Sequence, residues 1–165
     1  MKQLFTFILC VVAISATAQS LVFSKNGSIL ENNLEYTVTK ATFDELNILV
    51  LESDLGVKNA SNELAPVRAT QTLVEFPPFF MDEHFGFLNF CFNGCQQGNG
   101  NQEQIRNMEA GEWLVPTAFH LCFYPKEGAY SRVKVRYEIT VMEVVGQNDL
   151  GFPIYEPTDE KATVT

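Results

Sequence analysis

The stretch RVKVRYEITVMEVV, residues 132–145, decides the fold class. Val133, Val135, Tyr137, Ile139 and Val141 fall on one side of an extended chain; Arg132, Lys134, Arg136, Glu138 and Thr140 fall on the other. Side chains alternate faces with a period of two in a strand, so this run reads as half-buried antiparallel β-structure. Working outward, the same period recurs. VRATQTLVEF (67–76) puts Val67, Ala69, Gln71 and Leu73 on one face, with Gln71 as a polar gap. LNILVLESDLGVKN (46–59) is a longer β run, and LEYTVT (34–39) alternates through Leu34, Tyr36 and Val38. LVFSKNGSILENN (21–33) holds two short apolar pieces around Asn26-Gly27, a pair that accepts the positive φ angles of a tight hairpin.

No segment carries a helical stripe. NQEQIRNMEAGEW (101–113) comes nearest, and it has too few apolar residues for a buried helical face; a short helical turn or loop is the expectation there. CQQGNGNQEQ (95–104) is polar and glycine-rich and reads as exposed. About seven or eight short strands parted by turn residues predict an all-β chain, a single antiparallel β-sandwich.

The first residues, MKQLFTFILCVVAISATAQS, have one basic residue, an apolar run over 4–14 and small residues ending at Ala18. That is the layout of a cleaved secretory signal, residues 1–18. The apolar run is about half the roughly 20 residues of a spanning helix, and Cys10 lacks the small residue that lipidation requires before it. The mature chain is then a single domain over 19–165, irregular from about residue 146, with no transmembrane segment. Its expected location is exported: periplasmic, outer-surface or extracellular. The full chain carries a net charge of −9, and loss of Lys2 leaves 10 basic against 20 acidic residues. Such a surface repels phosphate backbones and anionic headgroups, which argues against nucleic acid as a partner.

Cys91, Cys95 and Cys122 remain after processing. In FCFNGC (90–95) an oxidising compartment favours a structural Cys91–Cys95 disulfide, and Asn93-Gly94 can supply the tight turn between the two thiols. A redox pair would have two intervening residues at a helix start rather than three among aromatics. The spacing of Cys91, Cys95, His84 and His120 matches no structural zinc pattern, so neither a metal site nor a cofactor is expected. Cys122 reads as a buried filler, with pairing to Cys91 or Cys95, or a cross-link between two chains, as the alternatives.

Asp82-Glu83-His84 offers acid and base groups without a placed nucleophile or second carboxylate, and no G-x-S-x-G elbow is present. The expectation is therefore a non-enzyme. FPPFFMDEHFGF (76–87) is interrupted by Pro77-Pro78 and rich in phenylalanine. Phe79, Phe80, Phe85 and Phe87, with Trp113, form the candidate contact surface, because clustered exposed aromatics mark interaction sites. The competing reading is a lid of aromatics closing one end of the core.

Taken together, SDLGVKNASNELAPVRATQTLV, FCFNGC, MEAGE and FYPKEGAYSRVKVRYEI resemble a group of small secreted immunoglobulin-like domains of Bacteroidota, of the kind found in exported proteins associated with type IX secretion. The resemblance runs from about residue 21 to 145, and Cys122 departs from it. It implies an immunoglobulin-like sandwich with no enzymatic activity, acting in binding or assembly at the cell envelope or outside the cell. The partner implied is a protein or glycan at the surface or in the periplasm. The alternative is a carbohydrate-binding module or a small glycan-active hydrolase, with the aromatics stacking on sugar.

Overall fold

The computed structural model describes residues 19–39, 41–43, 49–75, 86–98, 100–116, 119–125 and 133–165, with the backbone alone at 86, 87, 120, 124 and 125. Among the described residues there is no helix. Thirteen strands follow one another: β1 (Leu21–Lys25), β2 (Ser28–Ile29), β3 (Thr42–Phe43), β4 (Leu49–Glu52), β5 (Leu55–Asn59), β6 (Ala65–Glu75), β7 (Gly86–Cys91), β8 (Cys95–Gly98), β9 (Gln102–Met108), β10 (Trp113–Leu114), β11 (His120–Pro125), β12 (Lys134–Gln147) and β13 (Pro153–Val164). They form three open sheets, in the orders β10-β5-β1-β2, β3-β4-β11-β7-β8 and β13-β12-β6-β9. Neighbouring strands pair antiparallel throughout. The expected residues 1–18 signal lies outside the described residues.

Among the described residues thirteen strands stand where seven or eight were expected, in part because a single sequence run is divided between sheets. In LNILVLESDLGVKN the break is Asp54, whose φ of 55° is a left-handed conformation that Asp and Asn tolerate better than most residues. β4 pairs with β11 in the second sheet, while β5 pairs with β1 in the first. The Asn26-Gly27 turn forms as its chemistry predicts, with φ of 50° and 80° and Lys25 opposite Ser28. LEYTVT keeps its alternation of half-buried and exposed residues without joining a ladder. It runs beside the end of β13, bridged in parallel at Leu34 and Val164, with the Tyr36 amide donating to the Thr165 carbonyl at 3.0 Å.

Two expectations are corrected. Residues 102–108 are strand β9, paired with β6 over seven positions, and not a helical turn or loop. Gln104 and Met108 are buried and Gln102 and Arg106 half-buried, so the period of two is present in largely polar residues. The segment expected to be irregular from about residue 146 is ordered strand: β12 runs to Gln147 and β13 from Pro153 to Val164.

The three sheets share one apolar core. Leu21 and Phe23 of β1, Val57 of β5, Val67 and Ala69 of β6, Phe90 of β7, Met108 of β9, Ile139 of β12 and Val164 of β13 all belong to it. Phe90 and Phe92 meet Phe119 edge to face, with centroids 6.3 and 5.8 Å away, a favoured aromatic geometry. The polar gap at Gln71 is filled rather than exposed. Its side chain is fully buried, its amide donates to the Gly100 carbonyl at 3.3 Å, and its oxygen accepts the Tyr137 hydroxyl at 3.3 Å. Burial pushes the Tyr137 phenol well above the ordinary tyrosine range, so it stays a neutral donor. Cys122, on β11, is buried and takes no part in the disulfide.

Candidate contact surface

Cys91 ends β7 and Cys95 begins β8; the two are directly opposed in the ladder and joined by a disulfide. Gly94 between them takes a φ of 110°, open to glycine and strained for other residues. A ring of this size constrains the unfolded chain little, so by the loop-length relation the bond is worth about 2 kcal/mol.

The clasp is fastened to β9 chiefly by the Gln104 side chain. Gln104, 7% exposed, accepts the amides of Phe92 (3.1 Å) and Asn93 (2.6 Å) at Oε1 and donates from Nε2 to the Phe90 carbonyl (2.9 Å). Asn93 returns a bond to the Ile105 carbonyl at 2.8 Å. Two residues along β9, the Arg106 guanidinium sits over the Phe92 ring, 5.9 Å from its centroid, and pairs with Glu112 at 2.6 Å. Glu112 also accepts the Glu109 amide at 2.8 Å, closing the turn in which Gly111 takes a φ of 71°.

Asn59 holds the same turn from the other side. Fully buried at the end of β5, its amide donates to the carbonyls of Glu63 (2.9 Å), Met108 (3.2 Å) and Glu109 (3.0 Å). Its oxygen accepts the amide and hydroxyl of Ser61 at 3.0 and 2.7 Å. The motifs VKNAS and MEAGE, separate in sequence, thus meet in one buried knot, with the Gly111 amide donating to the Ser61 carbonyl at 3.2 Å. Every polar atom of the Asn59 side chain is satisfied, which is what allows it to be buried.

Trp113 follows this knot on β10. Its indole N–H donates to Ser24 Oγ on β1 at 3.0 Å, and the ring reaches across β5 to the β1–β2 turn. Gly56 is the floor: a Cβ there would stand 2.8 Å from the Leu114 carbonyl oxygen, 2.8 Å from Ser24 Oγ and 3.0 Å from the indole nitrogen. At the far end, a Cβ on Gly27 would lie 3.7 Å from Trp113 Cη2. The indole is seated on one side and 45% exposed on the whole, beside Val115 at 44%.

Of the candidate surface, Trp113 is exposed as expected. Phe79, Phe80 and Phe85 lie outside the described residues, as do Asp82, Glu83 and His84. Phe87 is described by its backbone alone, on β7 opposite Tyr124, and His120 likewise on β11 opposite Cys91. Sequence reasoning missed Asn59, Gln104 and the Arg106–Glu112 pair. The readable signals were the Asn-x-Ser of a local side-chain turn and the period-two pattern of 102–108. An open cleft lined by Lys25, Thr37, Val38, Thr39, Thr42, Glu52 and Asp54 lies where β1 ends and β5 begins. Among the described residues, no group of three His, Cys, Asp or Glu side chains is placed to hold a metal ion, and no helix is long and apolar enough to cross a membrane.

No family model matches the sequence, and no curated protein matches it. Among solved structures, the chain is similar to that of the N-terminal domain of PorA, with a TM-score of 0.51 at 18% identity, over 87% of this chain and 92% of that one. At that identity the likeness is one of fold.

Proposed function

We propose that this chain is an exported, non-enzymatic protein with an immunoglobulin-like sandwich, acting by binding or assembly at the cell envelope or outside the cell. The observation that carries the reading is the seating of Trp113. Buried polar groups are spent on an arrangement that keeps a large aromatic side chain nearly half in water, and rigid exposed aromatics are characteristic anchors of protein interfaces. The disulfide suits an oxidising compartment, and the secreted Bacteroidota domains that the sequence motifs resemble point the same way. The partner is a protein, held at Trp113 and, in the same reading, at the phenylalanines Phe79, Phe80, Phe85 and Phe87.

A carbohydrate-binding module is the second reading. A seated indole suits stacking on a sugar ring, and the threonine- and carboxylate-lined cleft near Lys25 suits hydroxyl groups. Comparing wild type with Trp113→Ala on a glycan array and against envelope proteins separates the two. Protein capture that falls at least tenfold in the variant supports the first reading. Sugar binding lost in the variant replaces it with the second, and turnover of any glycan or peptide ends the non-enzyme reading.

A further inference from the structure

The third sheet does not end where its neighbours do. β12 pairs with β6 from Lys134 to Val141 and then continues to Gln147 with β13 as its only ladder partner among the described residues. The β6 ladder with β12 stops at Val67, next to Pro66, which has no N–H to offer a further rung. Beyond that point β12 and β13 form a two-stranded ribbon closed by residues 148–152. Every residue from Glu143 to Ile154 is exposed. Among them are Val144 (55%), Val145 (48%), Leu150 (79%), Phe152 (62%) and Ile154 (44%).

The turn is built rather than slack. Asn148 Oδ1 accepts the amides of Leu150 and Phe152 at 2.9 and 3.0 Å. Its backbone N–H donates to the Phe152 carbonyl at 2.9 Å, its carbonyl accepts Gly151 N–H at 2.8 Å, and Gly151 takes a φ of 81°. Leu150 and Phe152 are thereby held outward in a fixed shape, which lowers the entropy lost when they are bound.

Charge identifies the occupant. From residue 142 to 160 the chain carries Glu143, Asp149, Glu156, Asp159 and Glu160 and no Lys, Arg or His. Glu143 and Glu156 stand directly opposite each other across the ribbon. Like charges so placed repel, and this chain supplies no cation within the ribbon to offset them. A second copy would bring five more carboxylates on a chain of net charge −9, and an anionic bilayer would repel the ribbon.

We propose that the projecting β12–β13 hairpin docks into an apolar cleft, rimmed by lysine or arginine, on a partner protein. Leu150, Phe152 and Ile154 fill the cleft, while Glu143, Asp149 and Glu156 meet the basic rim. The inference goes beyond the Trp113 surface, which lies on another sheet, and so gives the chain two separate contacts.

Site-specific photocrosslinking of the full chain in the cells that produce it tests this. Benzoylphenylalanine replaces Phe152 or, as a control on β9 at the opposite edge of the sheet, Glu103. The expected result is an adduct from position 152 and not 103, with a different protein whose crosslinked peptide has Lys or Arg beside apolar residues. The adduct falls at least tenfold with Leu150→Ser, and at least tenfold with Glu143→Lys and Glu156→Lys combined, at unchanged melting temperature. No adduct, an adduct to a second copy or to lipid, or an adduct untouched by these substitutions overturns the proposal. A partner lost with Trp113→Ala but kept by both arm variants also overturns it, and leaves the binding role standing.

Discussion

The Asn59–Trp113 region and the β12–β13 arm invert each other. In the first, polar side chains lie inside: Asn59 is fully buried and Gln104 nearly so, each with its donors and acceptors satisfied. In the second, apolar side chains lie outside, with Leu150 the most exposed large hydrophobic residue described. Burying an unsatisfied amide costs free energy, so the first arrangement survives only because its geometry is exact enough to complete every bond. Exposing leucine and phenylalanine forgoes stability that burial would give, so the second is tolerated by the fold without being needed by it. The first region thus draws stability from buried polar groups while leaving Trp113 partly exposed, whereas the arm leaves a series of apolar side chains in water.

The contrast can be broken at its strong end first. Asn59→Ala removes five side-chain hydrogen bonds and strands their backbone partners; at roughly 1 kcal/mol net for each, the loss partly relieved by water, urea unfolding shows about 3 kcal/mol less stability. Because the chain has a single tryptophan, its emission reports the Trp113 seat directly, and it shifts to the red in the folded variant. Gly56→Ala forces a Cβ into the Leu114 carbonyl, Ser24 and the indole, at a cost of about 1–3 kcal/mol by the usual penalty for overpacking, with the same change in emission. Unaltered emission in both variants removes the claim that these residues seat Trp113.

Converting both Cys91 and Cys95 to Ser costs about 2 kcal/mol or less and leaves the emission in place, since Gln104 and Arg106 still hold the clasp to β9. A larger loss, or an unseated indole, would make the disulfide the organiser of this end. The smallest effect belongs to the arm. Leu150→Ser and Phe152→Ser together change unfolding stability by no more than about 0.5 kcal/mol, as expected for exposed positions. Destabilisation well beyond that would place the arm inside the folding unit and erase the comparison.

What the sequence disclosed follows the same division. Alternating apolar faces are a one-dimensional signal, so β6 and β12 were legible, as was the Asn26-Gly27 hairpin, whose turn chemistry is local. The clasp could be read from two cysteines and a compartment. β9 was hidden because its inward residues include Gln104, whose role exists only beside the clasp amides eleven and twelve residues away. Asn59 was hidden for a like reason: its partners Met108 and Glu109 are 49 and 50 residues distant. The length of the arm depends on where β6 ceases to pair, a property of the sheet and not of the arm's own residues.

The two sides of the core are joined across nearly the whole chain. The Ser20 amide donates to Glu160 at 2.7 Å and Gln19 to the Lys161 carbonyl at 2.8 Å, over separations of 140 and 142 residues, while Leu21 and Phe23 share the core with Ala162 and Val164. Closing so long a loop is entropically costly before its contacts reward it, and folds rich in distant pairings form slowly. β1 takes its ladder partners, β2 and β5, from nearer in the sequence, and its contact with β13 is the distant one. Residues 160–164 thus help to close the core over Leu21 and Phe23, so their removal would expose apolar surface at the opposite end of the described sequence.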